Sequence, residues 1–244
     1  MLPIYKWSGG KRKDIKHFYN YLPDIVLENK KYTYVEPFFG AGALYWHLEN
    51  DDNIINDIDI ELINFLNVLK TQSDKLTTMI DDISEKISDI TLIEKSGKIS
   101  ISEAKIKRGE FYYEWRNKDR NSGLSNLSDL DRAFRFYFVN QLSFNGMRRF
   151  NSKGEFNVPY GNYKAFNKQY DEKHIEMLKR TKVSCGDYKQ LIYNNDKKDT
   201  FIFLDPPYTR EFTEYNPGND FGDESQIELS NVFKSIKNAK IMLI

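Results

Sequence analysis

Apolar residues run along this chain in two rhythms. Short stretches with strand character at Tyr32–Phe39, Asn53–Asn56, Lys182–Cys185, Thr200–Leu204 and Ala239–Ile244 predict strands, the unbroken apolar run before Asp205 a buried one. Helical patterns fall at Ala43–Glu49, Ile60–Leu69, Glu110–Lys118, Asp129–Val139 and Glu172–Arg180. Strand and helix alternate near both ends of the chain, which predicts a mostly parallel α/β sheet. The middle of the chain interrupts that alternation. Residues 71–103 are acidic and helical in flavour but weakly periodic, with Gly97–Ser102 reading as a loop or small hairpin. Residues 144–163 change character. There Asn145-Gly146, Ser152-Lys153-Gly154 and Pro159-Tyr160-Gly161 punctuate polar-aromatic pieces, the pattern of hairpins or an extended loop.

Composition narrows the class. A chain of 244 residues can bury a sizeable core, and 40% hydrophobic with 30% charged residues is ordinary for a globular protein. No apolar run approaches the roughly 18 residues a membrane span needs. Met1–Lys6 does not read as a signal peptide. A cytoplasmic setting without membrane contact is therefore expected. The single cysteine, Cys185, excludes an internal disulfide, and the three scattered histidines (His17, His47, His174) argue against zinc, so no metal is expected. The net charge of zero hides segregation. Residues 132–182 hold eleven Lys/Arg against four Asp/Glu, residues 1–31 seven against three, and residues 51–103 five against twelve. A charge run alone reads as a solvated face. Two basic segments that also carry other suggestive residues point to a polyanion-binding face.

Candidate chemistry gathers at predicted strand ends. The run Phe201–Leu204 is followed by Asp205-Pro206-Pro207-Tyr208. Prolines cannot extend a sheet ladder, so an acid and an aromatic ring stand at a strand's carboxyl end, where open α/β sheets bind ligands. A carboxylate beside rigid backbone carbonyls suits an amino group, and a ring suits a flat heterocycle. The pair fits chemistry on the exocyclic amine of a nucleobase. Val35–Ala43 is a strand leading into the Gly40-Ala41-Gly42 turn, where small residues admit a ligand to the backbone. Glu36 there reads as a site for an ammonium group or as a structural ion pair. Asp57, seventeen residues beyond Gly40, reads as a ribose-hydroxyl acceptor or as a helix N-terminal acid. Lys6-Trp7-Ser8-Gly9-Gly10-Lys11 offers positive charge and open backbone but does not match a phosphate loop. By composition alone Trp7 reads as a core residue.

In this order, Lys6–Lys11, Val35–Ala43, Asn56-Asp57 and Asp205–Tyr208 resemble the Dam-type DNA adenine-N6 methyltransferases. Phe144–Tyr163 looks like that family's DNA-recognition hairpin, and the similarity covers nearly the whole chain. The resemblance implies S-adenosylmethionine as methyl donor, double-stranded DNA as partner, and a monomer with no obligate protein partner. It implies catalytic roles for Asp205, Pro206 and Tyr208 on an adenine flipped out of the duplex. It implies a cofactor pocket formed by Trp7, Lys11, Glu36, Gly40, Gly42, Asp57, Asp187, Tyr188 and Asp205. Lys6 corresponds to a lysine that reaches a guanine edge. Arg149 suits bidentate reading of guanine in the major groove, while Arg148, Lys153 and Lys164 suit phosphates. Phe144 reads as a wedge between base pairs or as a core aromatic. Asn145, Met147 and Pro159 complete the DNA-facing set, and Lys6, Asn145, Arg149 and Pro159 make GATC the leading site.

The expected fold is α/β. It is a Rossmann-like methyltransferase sheet with an inserted, mostly helical DNA-recognition domain containing a β-hairpin. Residues 1–70 and 181–244 form the catalytic domain; residues 71–180 form the target-recognition domain, with the hairpin at 144–163. Relatives of this type continue into a final antiparallel hairpin of the sheet, so C-terminal strands are expected to be missing. A rival reading is accordingly a truncated, catalytically inactive DNA-binding remnant. Another is methylation of RNA adenine or of cytosine N4. A Rossmann-type oxidoreductase is disfavoured, because a third glycine is missing at the right spacing and Asp-Pro-Pro-Tyr goes unexplained.

Overall fold

The computed structural model describes residues 1–28, 30–207 and 221–244. In chain order they form α1 (Ile15–Phe18), α2 (Asp24–Leu27), β1 (Thr33–Glu36), α3 (Ala43–Leu48), β2 (Asp52–Asp57), α4 (Ile60–Thr71), α5 (Ser73–Lys95), α6 (Ile101–Arg116) and α7 (Asp129–Leu142). There follow α8 (Glu172–Arg180), β3 (Thr181–Cys185), α9 (Tyr188–Asn194), β4 (Thr200–Leu204), α10 (Asp223–Ser235) and β5 (Lys240–Leu243). The five strands make one parallel sheet in the order β3-β2-β1-β4-β5. Among the described residues no helix is long and apolar enough to cross a membrane.

Both faces of the sheet are covered, and the strand period of two sorts the residues between them. Tyr34, Phe201 and Phe203 face a large core that continues into the helical layer of α4 and α7. Val35, Ile202 and Leu204 face a smaller core with Tyr188 and Ile192 of α9 and Leu229 and Val232 of α10. β4 is buried along its whole length, which is why its sequence is an unbroken apolar run. The strand order reverses between β1 and β4. The crevice expected at such a switch point lies at their carboxyl ends, beside Glu36 and Asp205.

Several boundaries differ from the sequence pattern for local reasons. β1 ends at Glu36 rather than Phe39, because Pro37 has no N–H for the ladder. Past it the chain bends, and the Phe39 N–H donates to the Asn56 carbonyl at 2.9 Å. The weak periodicity of residues 71–103 conceals the 23-residue helix α5, which buries only the narrow stripe Leu76, Ile80, Ile87 and Thr91. Gly97–Ser100 form a turn rather than a hairpin, and Ile101 and Ser102 already belong to α6. From it Ser100 starts α6 through a capping box with Glu103. α7 packs along α4 and against α5 and α6. Phe65 of α4 stacks on Phe136 and Tyr137 of α7, with ring centroids 5.5 and 5.3 Å apart.

Residues 144–163 run out and back without a continuous ladder. The antiparallel pairing consists of isolated bridges, Ser143 with Tyr160 and Phe150 with Phe156. Backbone bonds from Asn157 N–H to the Arg149 carbonyl (3.0 Å) and from Asn151 N–H to the Glu155 carbonyl (2.9 Å) reinforce them. Asn145, Gly146 and Gly154 take positive φ, and Pro159 lacks a donor, so regular pairing cannot propagate. The segment is held instead by its buried Phe156, Val158 and Tyr160 and by side chains from the helical layer. Tyr112 donates its hydroxyl to the Val158 carbonyl at 2.9 Å, and Arg120 donates to the Phe156 carbonyl at 2.8 Å.

Candidate cofactor and base-binding site

A cavity of about 400 Å³ opens at the crevice. The Gly40-Ala41-Gly42 turn forms part of its wall, with φ of 46° at Gly40 and 62° at Gly42. A Cβ on Gly42 would fall 2.4 Å from the Phe39 ring, and one on Gly40 2.9 Å from the Trp7 indole nitrogen. Glycine alone fits this bend. Asp57 fastens the turn: its Oδ2 accepts from Gly40 N–H at 2.8 Å and its Oδ1 from Asp59 N–H at 3.0 Å. Buried Asn56 donates to the carbonyls of Pro37 (3.1 Å) and Gly186 (2.8 Å). Directional bonds thus fix the ends of β1, β2 and β3 relative to one another.

Three acids face this space. Glu36 is only 2% exposed and accepts from the Tyr34 hydroxyl at 2.9 Å. Burial pushes its carboxyl well above the usual range; the negative charges of Asp205 and Asp57 add to this, against the Tyr34 hydrogen bond. Burial and then the neighbouring Asp59 push Asp57 up to about 6. Burial likewise raises Asp205, against the pull of Lys11, whose Nζ donates to Oδ1 at 2.8 Å. Asp205 Oδ2 makes no hydrogen bond to the described residues. A ligand bringing positive charge would let such acids ionise and would bind more tightly for it. The opposite wall is apolar. Phe38 lies 4.8 Å from Tyr188 and 5.6 Å from Phe221, centroid to centroid, and the buried Tyr188 hydroxyl has no hydrogen-bond partner among the described residues.

The structure brings Trp7, Lys11, Glu36, Gly40, Gly42, Asp57, Asp187, Tyr188, Asp205 and Pro206 together around this one cavity. Tyr208 lies outside the described residues. Asp57 stands at the cavity and ties down the backbone of Gly40 and Asp59; the acid that caps α4 is Asp59 and not Asp57. Asp187 also caps α9, its Oδ1 accepting from Lys189 N–H at 2.7 Å. Phe38, Asp59 and Phe221 also line the cavity and are not among the residues read from sequence. Asp59 had a signal, as an acid directly before an apolar helix, and it caps α4. Phe221 had none, since its partner Phe38 is remote in sequence.

Arg148 is the residue whose surroundings differ most from expectation. Its side chain, 9% exposed, pairs with Asp59 and lies over the Trp7 ring, 4.6 Å from guanidinium carbon to ring centroid. It lines the cavity instead of standing on an open surface ready for phosphate. The Asp59 carboxylate and two aromatic faces offer a guanidinium more there than water does.

Among the remaining DNA-facing candidates, Lys6 packs against residues 144–163. The Lys6 backbone is clasped by the Asn140 amide at the end of α7, with bonds of 2.9 and 2.7 Å. Lys6 Nζ donates to the Gln141 carbonyl and, at 2.9 Å, to the Tyr163 hydroxyl. Its stem packs so closely on Gly146 that a Cβ there would fall 2.6 Å from the Lys6 chain. Phe144 is 48% exposed, which removes its core reading. Asn145, Met147, Lys153 and Pro159 are exposed as well. Arg149 is half-buried, its Nε donating to Asn157 Oδ1 at 2.8 Å. Lys164 pairs with Glu94, which also holds the buried Arg108.

A parallel sheet of this order, with a glycine turn after β1, an acid ending β2 and Asp-Pro-Pro after β4, defines an α/β protein of the Rossmann-like methyltransferase type. The chain belongs to the D12 class of N6 adenine-specific DNA methyltransferases, whose family model matches residues 7–243. It is 33% identical to the Type II methyltransferase M.MjaIII of Methanocaldococcus jannaschii, over 99% of this chain and 83% of the relative. It is 32% identical to the Type II methyltransferase M.CviBI of Paramecium bursaria Chlorella virus NC1A, over 100% and 83%. It is 31% identical to the DNA adenine methylase of Haemophilus influenzae, over 98% and 76%.

Proposed function

We propose that this protein transfers a methyl group from S-adenosylmethionine to N6 of an adenine flipped out of duplex DNA, with GATC as its site. The observation that carries the reading is the position of Asp205 and Pro206 on the rim of a cavity that also holds Glu36, Asp57 and the glycine turn. The donor set suits the cofactor. Glu36 receives an ammonium group, Asp57 receives ribose hydroxyls, and the slot of Phe38, Tyr188 and Phe221 receives a flat base. The glycine turn leaves backbone open to it. When bound, S-adenosylmethionine supplies a sulfonium methyl, an electrophile that needs no further activation. Asp205 and the Pro206 carbonyl accept hydrogen bonds from the adenine amino group and keep its lone pair out of the ring. Lys11 holds one Asp205 oxygen, which fixes the other for the base; such fixed placement is the main source of rate here. Tyr208 stacks on the flipped ring, worth roughly 1–3 kcal/mol. Residues 71–180 form the target-recognition unit, with 144–163 entering the groove.

The test is methyl transfer from a labelled donor to a duplex containing GATC, and to duplexes with each position changed, followed by mapping of N6-methyladenine. Label on the GATC adenine alone is the expected result. Duplex binding without transfer at saturating donor would instead establish the inactive-remnant reading. Label on cytosine or RNA would move the enzyme to another substrate.

A further inference from the structure

Arg148 belongs by sequence to the DNA-reading segment and by position to the cavity. One terminal nitrogen, Nη2, donates to Asp59 Oδ2. Asp59 Oδ1 meanwhile caps α4, accepting from Glu61 N–H at 3.0 Å and Leu62 N–H at 3.2 Å. The Asp59 N–H donates to Asp57, so the guanidinium is anchored one short step from the ribose acid. Its carbon lies 4.6 Å from the centroid of Trp7 and 5.3 Å from that of Phe136. The other terminal nitrogen, Nη1, is buried and has no hydrogen-bond partner among the described residues. Buried donors without acceptors are rare in folded proteins, and each one calls for an explanation. Reaching a DNA phosphate would require Arg148 to leave two rings and strand the Asp59 carboxylate beside Asp57, a costly exchange.

We propose that Arg148 is a positioning residue that couples cofactor occupancy to DNA reading. The inference rests on the cavity being the S-adenosylmethionine site. An oxygen of the bound cofactor's ribose completes the guanidinium's hydrogen bonding, and the filled site holds Met147-Arg148-Arg149 in the conformation that reads DNA. Coupling of this kind is reciprocal: duplex DNA raises affinity for the cofactor by the same factor that the cofactor raises affinity for DNA.

The test uses S-adenosylhomocysteine, which has no methyl to transfer, and compares the parent with Arg148→Lys and Asp59→Asn. Calorimetry gives cofactor affinity, anisotropy gives duplex affinity with and without cofactor, and thermal unfolding checks that each variant is folded. Lysine keeps a charge for Asp59 but ends in a single nitrogen. Arg148→Lys is expected to bind S-adenosylhomocysteine about ten-fold more weakly, the worth of one hydrogen bond from a charged donor. Its duplex affinity without cofactor should equal the parent's, and the gain on adding cofactor should vanish. Asp59→Asn, which frees the guanidinium without removing it, should lose the same gain. Duplex affinity weakened equally with and without cofactor, with a salt slope lower by about one, would make Arg148 a phosphate contact and overturn the proposal. Unchanged cofactor affinity in Arg148→Lys would overturn it too. A parent protein that binds no S-adenosylhomocysteine would sink the cofactor reading itself, a separate failure.

Discussion

The cavity and the segment 144–163 are held in place by opposite means. Glu36, Asp57 and Asp205 each stand at or just past the end of a parallel strand, and Asn56 and the Asp57 bonds tie the strand ends together. Residues 144–163 have two isolated bridges and borrow their rigidity from Tyr112, Arg120 and Lys6. The difference fits the work proposed for each. Methyl transfer depends on sub-ångström placement of reacting groups, which regular elements supply. Reading a groove calls for exposed side chains on backbone that can settle against a partner.

The largest test of this contrast is Asp205→Ala. If the cavity does chemistry and the segment does recognition, turnover should fall by roughly a thousand-fold or more, about 4 kcal/mol. Duplex affinity should stay close to the parent's. The checks are single-turnover methyl transfer and anisotropy titration, and near-parental turnover would collapse the division of labour. Arg149→Ala is the reciprocal variant. It should relax preference at one base pair, at a cost of about 1–3 kcal/mol, and leave S-adenosylhomocysteine affinity unchanged. Competition among duplexes substituted at each position reads this directly, and loss of affinity without loss of preference would remove Arg149 from base reading.

The cavity was legible in the sequence because its groups sit where elements stop. Pro206 and Pro207 mark the end of β4, the glycine turn follows β1, and Asp57 closes β2. Those are local signals, and the ten residues they and the family resemblance pointed to meet around one space. The DNA-reading segment was legible only as turn-rich chain and by resemblance. Its placement depends on contacts with α6, α7 and Lys6 that no local pattern encodes. Arg148 shows the limit most clearly. Beside Arg149 in a basic stretch it reads as a phosphate ligand, and only the folded chain brings Asp59 and Trp7 to it. Residues 71–103 read as helical in flavour, and α5 fills most of them; local pattern left open that the helix runs unbroken from Ser73 to Lys95, burying only four residues.

A smaller effect separates the two regions by pH. In the cofactor-free protein burial keeps Glu36 protonated above its ordinary range, while an ammonium ligand favours its ionised form. Affinity for S-adenosylhomocysteine should therefore rise with pH while Glu36 is still protonated, by up to about ten-fold per pH unit. Binding should release a proton, seen as a buffer-dependent calorimetric enthalpy. The sign for stability is the reverse. A carboxyl whose folded-state pKa is raised stabilises the fold at low pH, and that contribution is lost as pH rises through the folded value. Glu36→Gln should then keep only the pH dependence that Asp57, pushed up to about 6, contributes to cofactor binding, and lose less stability than the parent as pH rises. A parent whose cofactor affinity is flat with pH would show that Glu36 does not meet the ammonium group.

The smallest effect distinguishes two lysines within residues 144–164. Lys153 sits on an exposed tight turn, where its backbone N–H donates to Asn151 Oδ1 at 3.0 Å. Lys164 is already paired with Glu94, so it would have to exchange that partner for a phosphate. Both were assigned to phosphates on sequence grounds, yet only Lys153 can neutralise one without first breaking an ion pair. Lys153→Ala should weaken binding to all duplexes about equally and lower the salt slope by about one. Lys164→Ala should leave the slope nearly unchanged. Its effect should fall on stability instead, and it should be small, because Lys164 itself is exposed and Glu94 keeps Arg108. Equal slopes in the two variants would mean that Lys164 leaves Glu94 on binding, and that the DNA footprint extends from the turn to the base of the segment.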